Sequence, residues 1–422
     1  MARKVDNDEE VLAFQAGMNN TASETALPEG AVRSLVNLDL VSGQPFMREG
    51  RTLRYPSTDV HSLWSDDLID FGLFMEGTDL KALLPSLQTQ TLRSGLAARD
   101  MEFAFVNNRV YYSNGVDTGV VRQSMDAEAW GVETPRKLFQ AEAVDGGGLH
   151  AGTYRVTFTF LAGREEGGAP APQLVTIAEG QGIAVSQIPA PLASNITACR
   201  AYLSNADDPR LFHVRDLAIG MTDVVLGAGG RGDLLETLFM EPAHPGRNLL
   251  VKNGRIFSTN GKLLRWTEAQ RYGLTDPTHN YLPMGQAITA LGSPSDGQLT
   301  LYVGGTTKTI MLQGTDVADM KVAAVKHSGI VPGSLIHLDA DEIGIDGITT
   351  RCPVWIGTNG LFYLGTSSSV IPLNKGVAAN IYQKAAATYV EIDGRQRFIV
   401  AGRGGRKADL AIRDKAVARI VS

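Results

Sequence analysis

The chain contains little cysteine and no long apolar run, and each absence excludes a class of protein. Its two cysteines, Cys199 and Cys352, are far apart and too few for a disulfide framework or a cysteine zinc site. We expect both to be buried free thiols. No run of 18 apolar residues is present, so we predict no transmembrane helix. The basic start turns acidic at Asp6, where a signal peptide needs apolar residues, so we expect folding in a cytoplasm.

The overall composition is that of an ordinary globular protein. The 422 residues are 43% apolar and 20% charged, which excludes a disordered chain. The net charge of −6 argues against binding nucleic acid through bulk charge, although a local basic patch remains open. Glycine is abundant, at 46 residues, which is typical of a chain with many tight turns.

One hairpin pattern recurs along most of the chain. Residues 249–264 contain two Asn-Gly pairs, Asn253-Gly254 and Asn260-Gly261, each flanked by short apolar runs. Asn-Gly readily takes the positive φ of a two-residue turn and therefore predicts β-hairpins. Similar tracts lie at 107–121, 296–312, 358–373 and 392–402. Sequential antiparallel strands with no room for crossover helices indicate a meander, a sandwich or a propeller.

A different pattern begins near Asp145. Residues 152–160 alternate strictly and place Tyr154, Val156 and Phe158 on one face of a predicted strand. Further strands are predicted at 174–177, 183–187, 198–203, 211–214 and 222–226. Six predicted strands separated by regularly spaced turns are typical of a small β-sandwich. The hairpin pattern resumes at Leu249, so we predict that the sandwich is inserted.

The predicted fold class is all-β: a β-propeller of roughly five to seven blades with an inserted fibronectin-III/Ig-like β-sandwich. The predicted domains are an extended N-terminal lead-in over 1–60, the first part of the propeller over 61–144, the sandwich over 145–242 and the rest of the propeller over 243–422. We predict a short helix over 6–14 of the lead-in, a strand over 31–40 and a turn at Gly43. The lead-in has few apolar runs, so we expect it to lie across another domain or subunit.

We find no motif for catalysis or metal binding in the sequence. G-x-S-x-G is absent and the seven histidines are scattered. His337 alternates within a predicted strand and has no nameable partner for acid–base chemistry, so we interpret it as structural. The acidic segment around Asp339 and Asp341 lacks the glycine and spaced ligands of a calcium loop, and we predict a solvated turn there. We expect no enzyme activity, no cofactor and no metal.

A group of cations near the C-terminus is the one local charge feature. Its members are Arg395, Arg397, Arg403, Arg406 and Lys407, and they surround three glycines. On flexible backbone such cations would meet phosphates or an acidic partner surface, while the alternative interpretation is a solvated hairpin end. Aromatic residues are only 7% of the chain and are not interleaved with these cations, so stacking on single-stranded nucleic acid is unsupported.

A carbohydrate-binding or carbohydrate-active propeller is the alternative function. It would use exposed aromatic rings beside convergent carboxylates. The tryptophan candidates are Trp64, Trp130, Trp266 and Trp355. Trp266 and Trp355 lie within blade-like strands, which favours core packing for these two.

Several segments resemble virion propeller proteins of tailed phages. The strand Ala31–Asp39, followed by Gly43 and Arg48–Gly50, resembles their opening, in which a Val-Asn-x-Asp strand precedes an Arg-Gly segment. Further segments resemble the later parts of these proteins. Their blades are resembled by His61–Trp64 and Phe105–Gly115, and their inserted sandwich by Gly152–Val156 with Gly163–Gly167. Their last blades are resembled by Gly329–Gly333, Trp355–Gly365 and Tyr389–Gly394.

The resemblance implies a structural component of a phage tail, similar to the hub or nozzle proteins of short-tailed phages. Such proteins form rings, commonly six-fold, through which DNA leaves the capsid. The implied partners are further copies of the chain in a hexamer, neighbouring virion proteins such as portal, adaptor or tail fibre, and the passing DNA, without a membrane. The expected location is the virion tail, with assembly in the host cytoplasm. A minor tail protein of a long-tailed phage is the alternative within this resemblance.

Overall fold

The computed structural model describes residues 14–20, 22–48, 52–57, 59–136, 139–373, 382–392 and 395–404. These residues are mainly in β-strands; the described helical elements are two 3-10 turns, Glu24–Ala26 and Val317–Asp319, and one helix, α1, at Ala340–Ile343. No helix in these ranges is long and apolar enough to cross a membrane. The chain divides into two compact units, Ser57–Gly285 and Met1–Pro56 with Gln286–Ser422.

Residues 14–57, which we call the N-terminal arm, form only small two-stranded sheets in the described part. Strand β1, Gly17–Met18, pairs in parallel with β2, Ala31–Val32. Strand β3, Leu38–Val41, pairs antiparallel with β4, Gln44–Met47, and we call this pair the arm hairpin. The arm therefore has no sheet of blade size.

The prediction of one continuous strand over 31–40 is wrong, because two strands, β2 and β3, lie in this range. Asn37 takes a positive φ of 57° and separates β2 from β3. The turn predicted at Gly43 is confirmed: Ser42 and Gly43 have φ of 48° and 81°, the conformation of a two-residue hairpin loop. The helix predicted over 6–14 lies outside the described residues except for Phe14.

The unit of residues 57–285 contains three four-stranded antiparallel meanders. Such meanders are the sheets from which β-propellers are built, and we call them blades 1 to 3. Blade 1 has β5 (Val60–Trp64), β6 (Gly72–Glu76), β7 (Asp79–Leu83) and β8 (Thr89–Arg93). Blade 2 has β9 (Glu102–Val106), β10 (Arg109–Ser113), β11 (Thr118–Arg122) and β12 (Ala127–Glu128).

A two-sheet sandwich follows blade 2 in the chain. Its strands are β13 (Gln140–Val144), β14 (Gly152–Ala162), β15 (Glu165–Glu166), β16 (Gln173–Ile177), β17 (Gly182–Ser186), β18 (Ala198–Ser204), β19 (Leu211–Leu217) and β20 (Val224–Leu226). One sheet has the order β13-β17-β20, and the other has the order β15-β14-β18-β19 with β16 also paired to β14. The chain thus crosses between the two sheets four times, after β13, β16, β17 and β19, as in an Ig-like sandwich.

The alternation predicted in β14 is confirmed and builds the sandwich core. Tyr154, Val156, Phe158 and Phe160 are all buried in one apolar cluster, with the Phe158 ring edge-on to Phe139 at 5.0 Å. Thr157 and Thr159 on the opposite face of β14 are buried as well. The Thr159 hydroxyl is satisfied there by a hydrogen bond that it donates to Glu166 at 2.6 Å. The sandwich can therefore bury its own core without any help from the blades.

Blade 3 follows the sandwich. It contains β22 (Arg247–Lys252), β23 (Arg255–Asn260), β24 (Leu263–Trp266) and β26 (Tyr281–Pro283), while β21 (Glu241–Pro242) pairs with β25 (Leu274–Thr275). The turn predicted at Asn253-Gly254 is confirmed, since both residues have positive φ. The turn predicted at Asn260-Gly261 lies one residue later, because Asn260 pairs with Leu263 and ends β23.

The other unit holds blades 4 and 5. Blade 4 has β27 (Ile288–Gly292), β28 (Leu299–Gly305), β29 (Thr309–Gly314) and β30 (Lys321–Lys326); blade 5 has β31 (Ile336–Leu338), β32 (Cys352–Ile356), β33 (Phe362–Gly365) and β34 (Val370–Pro372). A buried aromatic contact joins them: Trp355 of blade 5 lies 5.4 Å from Tyr302 of blade 4, and Tyr363, also of blade 5, lies 6.1 Å from Trp355. The sheet that ends the described chain has β35 (Lys384–Ile392) and β36 (Arg395–Arg403).

The predicted fold class, an all-β propeller with an inserted sandwich, is confirmed. Both cysteines are free and buried, as expected. Burial raises the pKa of Cys199 to about 12, which keeps it a thiol at neutral pH.

Candidate functional site

A cleft of about 590 Å³ lies within the unit of residues 57–285. One wall is the sandwich, through the β14–β15 turn and β18, and the other is formed by β10, the 270–273 loop and the start of β25. A second hollow of about 280 Å³ shares Arg109 and Glu165 with it and extends toward β11 and β12.

Glycines let the chain close the floor of this cleft. Gly131 has a φ of 86°, and a Cβ atom there would lie only 2.3 Å from the Gly273 carbonyl oxygen. Beside this contact the Trp130 indole N–H donates to the Tyr272 carbonyl at 2.7 Å. The segment leading from blade 2 into the sandwich is therefore fixed on the loop of blade 3.

Two ion pairs bridge the walls of the cleft. Arg109 on β10 pairs with Glu165 of β15, and Arg271 of the blade 3 loop pairs with Glu236, which follows the sandwich strands. Partly exposed pairs of this kind contribute little to stability, typically about 0.2–1 kcal/mol each. Their geometric effect is to hold the sandwich at a set position against the blades.

A hydrogen-bond network behind the first ion pair fixes Glu166. Its Oε1 accepts from the Tyr202 hydroxyl at 2.5 Å and from the Thr159 hydroxyl at 2.6 Å. Arg200 lies 3.6 Å from the other carboxylate oxygen and binds Asp216 through two hydrogen bonds of 2.7 and 3.0 Å. The carboxylate of Glu166 therefore accepts hydrogen bonds from side chains of the sandwich itself and has a structural role.

The tyrosines of the cleft stay protonated. Burial raises the pKa of Tyr111 to about 12, although the nearby Arg109 charge acts in the opposite direction. Burial, reinforced by the hydrogen bond to Glu166, also raises the pKa of Tyr202. Acid–base catalysis needs groups whose pKa lies near the operating pH, and the pKa values of these phenols lie far above neutral pH.

The ion pairs and hydrogen bonds of the cleft therefore indicate a contact that joins the sandwich to the blades.

These cleft residues were not predicted from the sequence. Arg109 and Glu165 are 56 positions apart, and Glu236 and Arg271 are 35 apart, so no local spacing pairs them. In the sequence, Gly163–Gly167 stood out only through its resemblance to the inserted sandwich of virion propeller proteins. Arg164 is exposed and has no hydrogen bond or ion pair among the residues that the structure describes.

The predicted group of C-terminal cations is only partly described. The Arg395 and Arg397 positions lie in β36 in the same alternating register as Arg403, whose side chain is exposed. Arg406 and Lys407 lie outside the described residues. The strand β36 pairs with β35 along its length, and Gly402 makes room for the Tyr382 ring, since a Cβ atom there would lie 2.0 Å from that ring.

The N-terminal arm presents apolar side chains to solvent. No described residue of the arm is buried. The exposed fractions are 82% for Val36, 78% for Met47, 77% for Leu53 and 50% for Phe46. Single apolar side chains are similarly exposed elsewhere, such as Leu192 at 75% and Leu68 at 71%, but the blades and the sandwich also bury others in cores, whereas the described arm does not.

The tryptophans proposed for carbohydrate stacking are mostly internal. Trp130, Trp266 and Trp355 are buried, at 4%, 6% and 1% exposure, which confirms core packing for Trp266 and Trp355. Trp64 is half-buried and stacks on Phe103 at 5.6 Å. Buried rings are closed to a sugar face, so three of the four candidates are removed.

The histidine and acidic candidates form no site in the described ranges. The His337 ring accepts from the Ser293 backbone N–H at 3.4 Å, in line with a structural role. The Asp339 side chain is 67% exposed and its residue precedes α1, so the predicted turn is a single helical turn. No group of three His, Cys, Asp or Glu side chains within these ranges is placed to hold a metal ion.

No protein-family model matches the chain, and no curated protein matches it. Among solved structures, the N-terminal domain of Nup159 is similar at 10% identity over 84% of this chain and 76% of that chain, with a TM-score of 0.30. BBS1N in complex with ARL6DN is similar at 10% identity over 83% and 90%, with a TM-score of 0.33. Streptogramin B lyase is similar at 8% identity over 83% and 96%, with a TM-score of 0.32. At TM-scores this low, the likenesses carry no argument about what this chain does.

Proposed function

We propose that the chain is a structural component of a tailed-phage virion, a ring-forming hub- or nozzle-like protein of a short tail. The sequence resemblance to virion propeller proteins suggests this class. The exposed apolar arm is the structural observation that supports it, because it calls for a neighbouring protein surface.

The energetic argument concerns the arm alone. Val36, Met47 and Leu53 are each more than three-quarters exposed, and full burial of such a side chain contributes about 1.5–3 kcal/mol. Within the monomer that free energy is not gained, since no described arm residue is buried. In an assembly the same side chains would pack against a neighbour and hold adjacent subunits together.

The rest of the chain suits a mechanical role. Blades packed through buried rings give rigid bodies, and the ion-paired cleft fixes the sandwich on its blades. The proposed partners are further copies of the chain in a hexameric ring, the adjacent portal, adaptor or fibre proteins, and DNA passing through the ring. We propose assembly in the host cytoplasm, residence in the tail and no catalytic role.

The test is removal of the chain from the phage that encodes it. We expect particles with filled heads but defective tails when its gene is disrupted, and restoration when the wild-type chain is supplied from a plasmid. Electron microscopy and mass spectrometry of purified particles provide the measurement. Particles with normal, infective tails and no copy of the chain contradict the proposal.

The same particles separate the two alternatives. Density for the chain around the axis of a short tail supports a hub or nozzle, whereas density on a long tail indicates a minor tail protein. A carbohydrate-binding propeller predicts a signal on a glycan array, and nothing in the positions of the buried tryptophans favours it.

A further inference from the structure

Asparagine followed by glycine is a reactive pair, and the chain contains four such pairs. They are Asn114-Gly115, Asn253-Gly254, Asn260-Gly261 and Asn359-Gly360. Glycine has no Cβ atom to shield its backbone nitrogen, so this nitrogen can approach the side-chain carbonyl carbon, Cγ, of the preceding asparagine. Because all four pairs share this local chemistry, their surroundings in the fold decide which of them reacts.

The Asn114 side chain is held in place by four hydrogen bonds. It is fully buried, and its Oδ1 accepts from the backbone N–H groups of Val116 and Asp117 at 2.9 and 2.6 Å. Its Nδ2 donates to the Ala97 carbonyl at 3.2 Å and to the Asp117 carboxylate at 3.1 Å. These bonds oppose the rotation that would bring Cγ to the next backbone nitrogen, so the fold protects this pair.

The Asn359 side chain is held in a similar way. Its Nδ2 donates to the Tyr363 hydroxyl at 2.8 Å. Its Oδ1 accepts from the Ser328 hydroxyl at 3.1 Å and from the Leu361 backbone N–H at 3.2 Å. The nitrogen and the oxygen of this amide are both bound, so local opening must precede any reaction there.

The Asn253-Gly254 turn is exposed at the asparagine but packed at the glycine. Asn253 has a φ of 46° and lies between β22 and β23. The Gly254 carbonyl accepts from the Gln270 backbone N–H at 2.8 Å, and a Cβ atom on Gly254 would lie only 2.6 Å from the Gln270 side-chain nitrogen. This contact with the 270–273 loop restrains the glycine of the pair.

The Asn260-Gly261 turn is open to solvent at both residues. Asn260 ends β23 opposite Leu263 of β24, so Gly261 and Lys262 form a two-residue loop. Gly261 has a φ of 60°, and a Cβ atom on it would meet nothing within 4 Å beyond its chain neighbours in the described part of the protein. Within the same ranges the Asn260 side chain has no hydrogen bond. This turn therefore has the freedom that ring closure requires.

We propose that Asn260 is a site of spontaneous modification, at which the side-chain amide becomes a carboxylate through a cyclic succinimide. The Gly261 nitrogen loses its proton to hydroxide and forms a bond to Cγ of Asn260. The bond from Cγ to Nδ2 breaks, and the departing nitrogen takes a proton from water and leaves as ammonia. Water then opens the succinimide at either carbonyl, which gives aspartate or isoaspartate.

Either product adds a negative charge to the β23–β24 turn of blade 3. Isoaspartate also carries the main chain through the former side chain, which lengthens the loop by one carbon atom. A two-residue loop fixes the register of its hairpin, so the lengthened loop alters the end of a blade. The modification site belongs to blade 3 itself and does not depend on the proposed role in a virion.

Mass spectrometry of the aged full-length chain tests this assignment. The purified protein is incubated in warm, mildly alkaline buffer, and its peptides are fragmented by electron transfer to distinguish aspartate from isoaspartate. We expect conversion at Asn260 to be faster than at Asn114 and Asn359 by about tenfold or more, with Asn253 between them. A higher pH should accelerate the reaction, because the Gly261 N–H must lose its proton.

The unfolded chain is the matched control. In guanidinium at the same pH we expect the four pairs to react at similar rates, since the protecting contacts are lost. Asn260→Gln should abolish the product at this position, because the longer side chain must close a larger ring, and should leave thermal unfolding and the rate at Asn253 unchanged. Conversion in the folded chain that is no faster at Asn260 than at Asn114, or that occurs at Asn260 only in guanidinium, overturns the proposal.

Discussion

The sandwich and the N-terminal arm both interrupt the blade pattern, yet they differ completely in burial. The sandwich faces two sheets against each other and buries Phe158 and Val156 without solvent contact. The arm forms two-stranded pieces and buries none of its described residues. An apolar face becomes a core only when a second layer covers it, and two strands alone provide none.

This difference also separates two kinds of stability. The sandwich carries its stabilisation within one chain, so its loss will appear as unfolding. Under the proposed function the arm would gain stabilisation on contact with a neighbouring protein, so its loss would appear as weaker assembly. We therefore expect substitutions in the sandwich to lower the free energy of unfolding and substitutions in the arm to weaken association.

The largest effect is expected for Phe158→Ala in the sandwich. The Phe158 ring is fully buried beside Phe139, and its removal leaves a cavity that lowers the unfolding free energy of the sandwich by about 3–5 kcal/mol. Hydrogen exchange followed by mass spectrometry should show faster exchange in peptides from β14, β16 and β18. Leu174→Ala, at a 60% exposed position of the same domain, is the control. A change below about 1 kcal/mol would show that this core is not what stabilises the sandwich.

A smaller effect is expected for the ion pair on the outer face of β18. Hydrogen bonds from Arg200, helped by His213, hold the pKa of Asp216 below its ordinary value. A carboxyl whose folded pKa is lowered stabilises the fold above its unfolded pKa, near 4, and loses that contribution as the pH falls through the folded value. Asp216→Asn should therefore cost about 0.2–1 kcal/mol at neutral pH and nothing in strong acid.

The control for this pH dependence is Asp223→Asn, which makes the same charge change in the same domain. Asp223 accepts a hydrogen bond from Thr222 and has no arginine partner in the described residues. Thermal unfolding of both variants between neutral and acidic pH gives the comparison. Equal curves for the two variants would contradict a specific role for Arg200.

The smallest effect on unfolding is expected for Phe46→Ala in the arm. Half of its surface is already in water, and the arm contributes to no described core, so the unfolding free energy should change by less than about 0.5 kcal/mol. Chemical denaturation of the dilute monomer is the measurement. A cost approaching that of Phe158→Ala would show that the arm is part of a core within its own chain.

Short-range features of the fold were predictable from the sequence. The alternation of Tyr154 to Phe160 placed these side chains in one core, and Asn253-Gly254 placed a hairpin turn, because both signals act over a few residues. The prediction failed where a local conformation overrode the pattern. Asn37 broke the expected strand, and Asn260 ended β23 where a turn was expected.

The candidate site was much less predictable. The cleft brings Arg109 to Glu165 and Arg271 to Glu236 across long stretches of chain, which no local spacing encodes. The group of C-terminal cations was visible in the sequence, but the register that puts the Arg395, Arg397 and Arg403 positions in one strand, β36, became clear only from the structure. Composition identifies charges but does not say which strand will carry them.

The sequence by itself therefore determined that the chain is all-β, where most hairpins turn and that a sandwich interrupts the blades. These properties follow from turn residues and period-two alternation, which depend on neighbours a few positions away. Tertiary structure alone decided which charges meet in the cleft, and it left none of the described arm residues buried. Those outcomes depend on strand pairing between distant segments, which backbone hydrogen bonds specify only once the sheets have assembled.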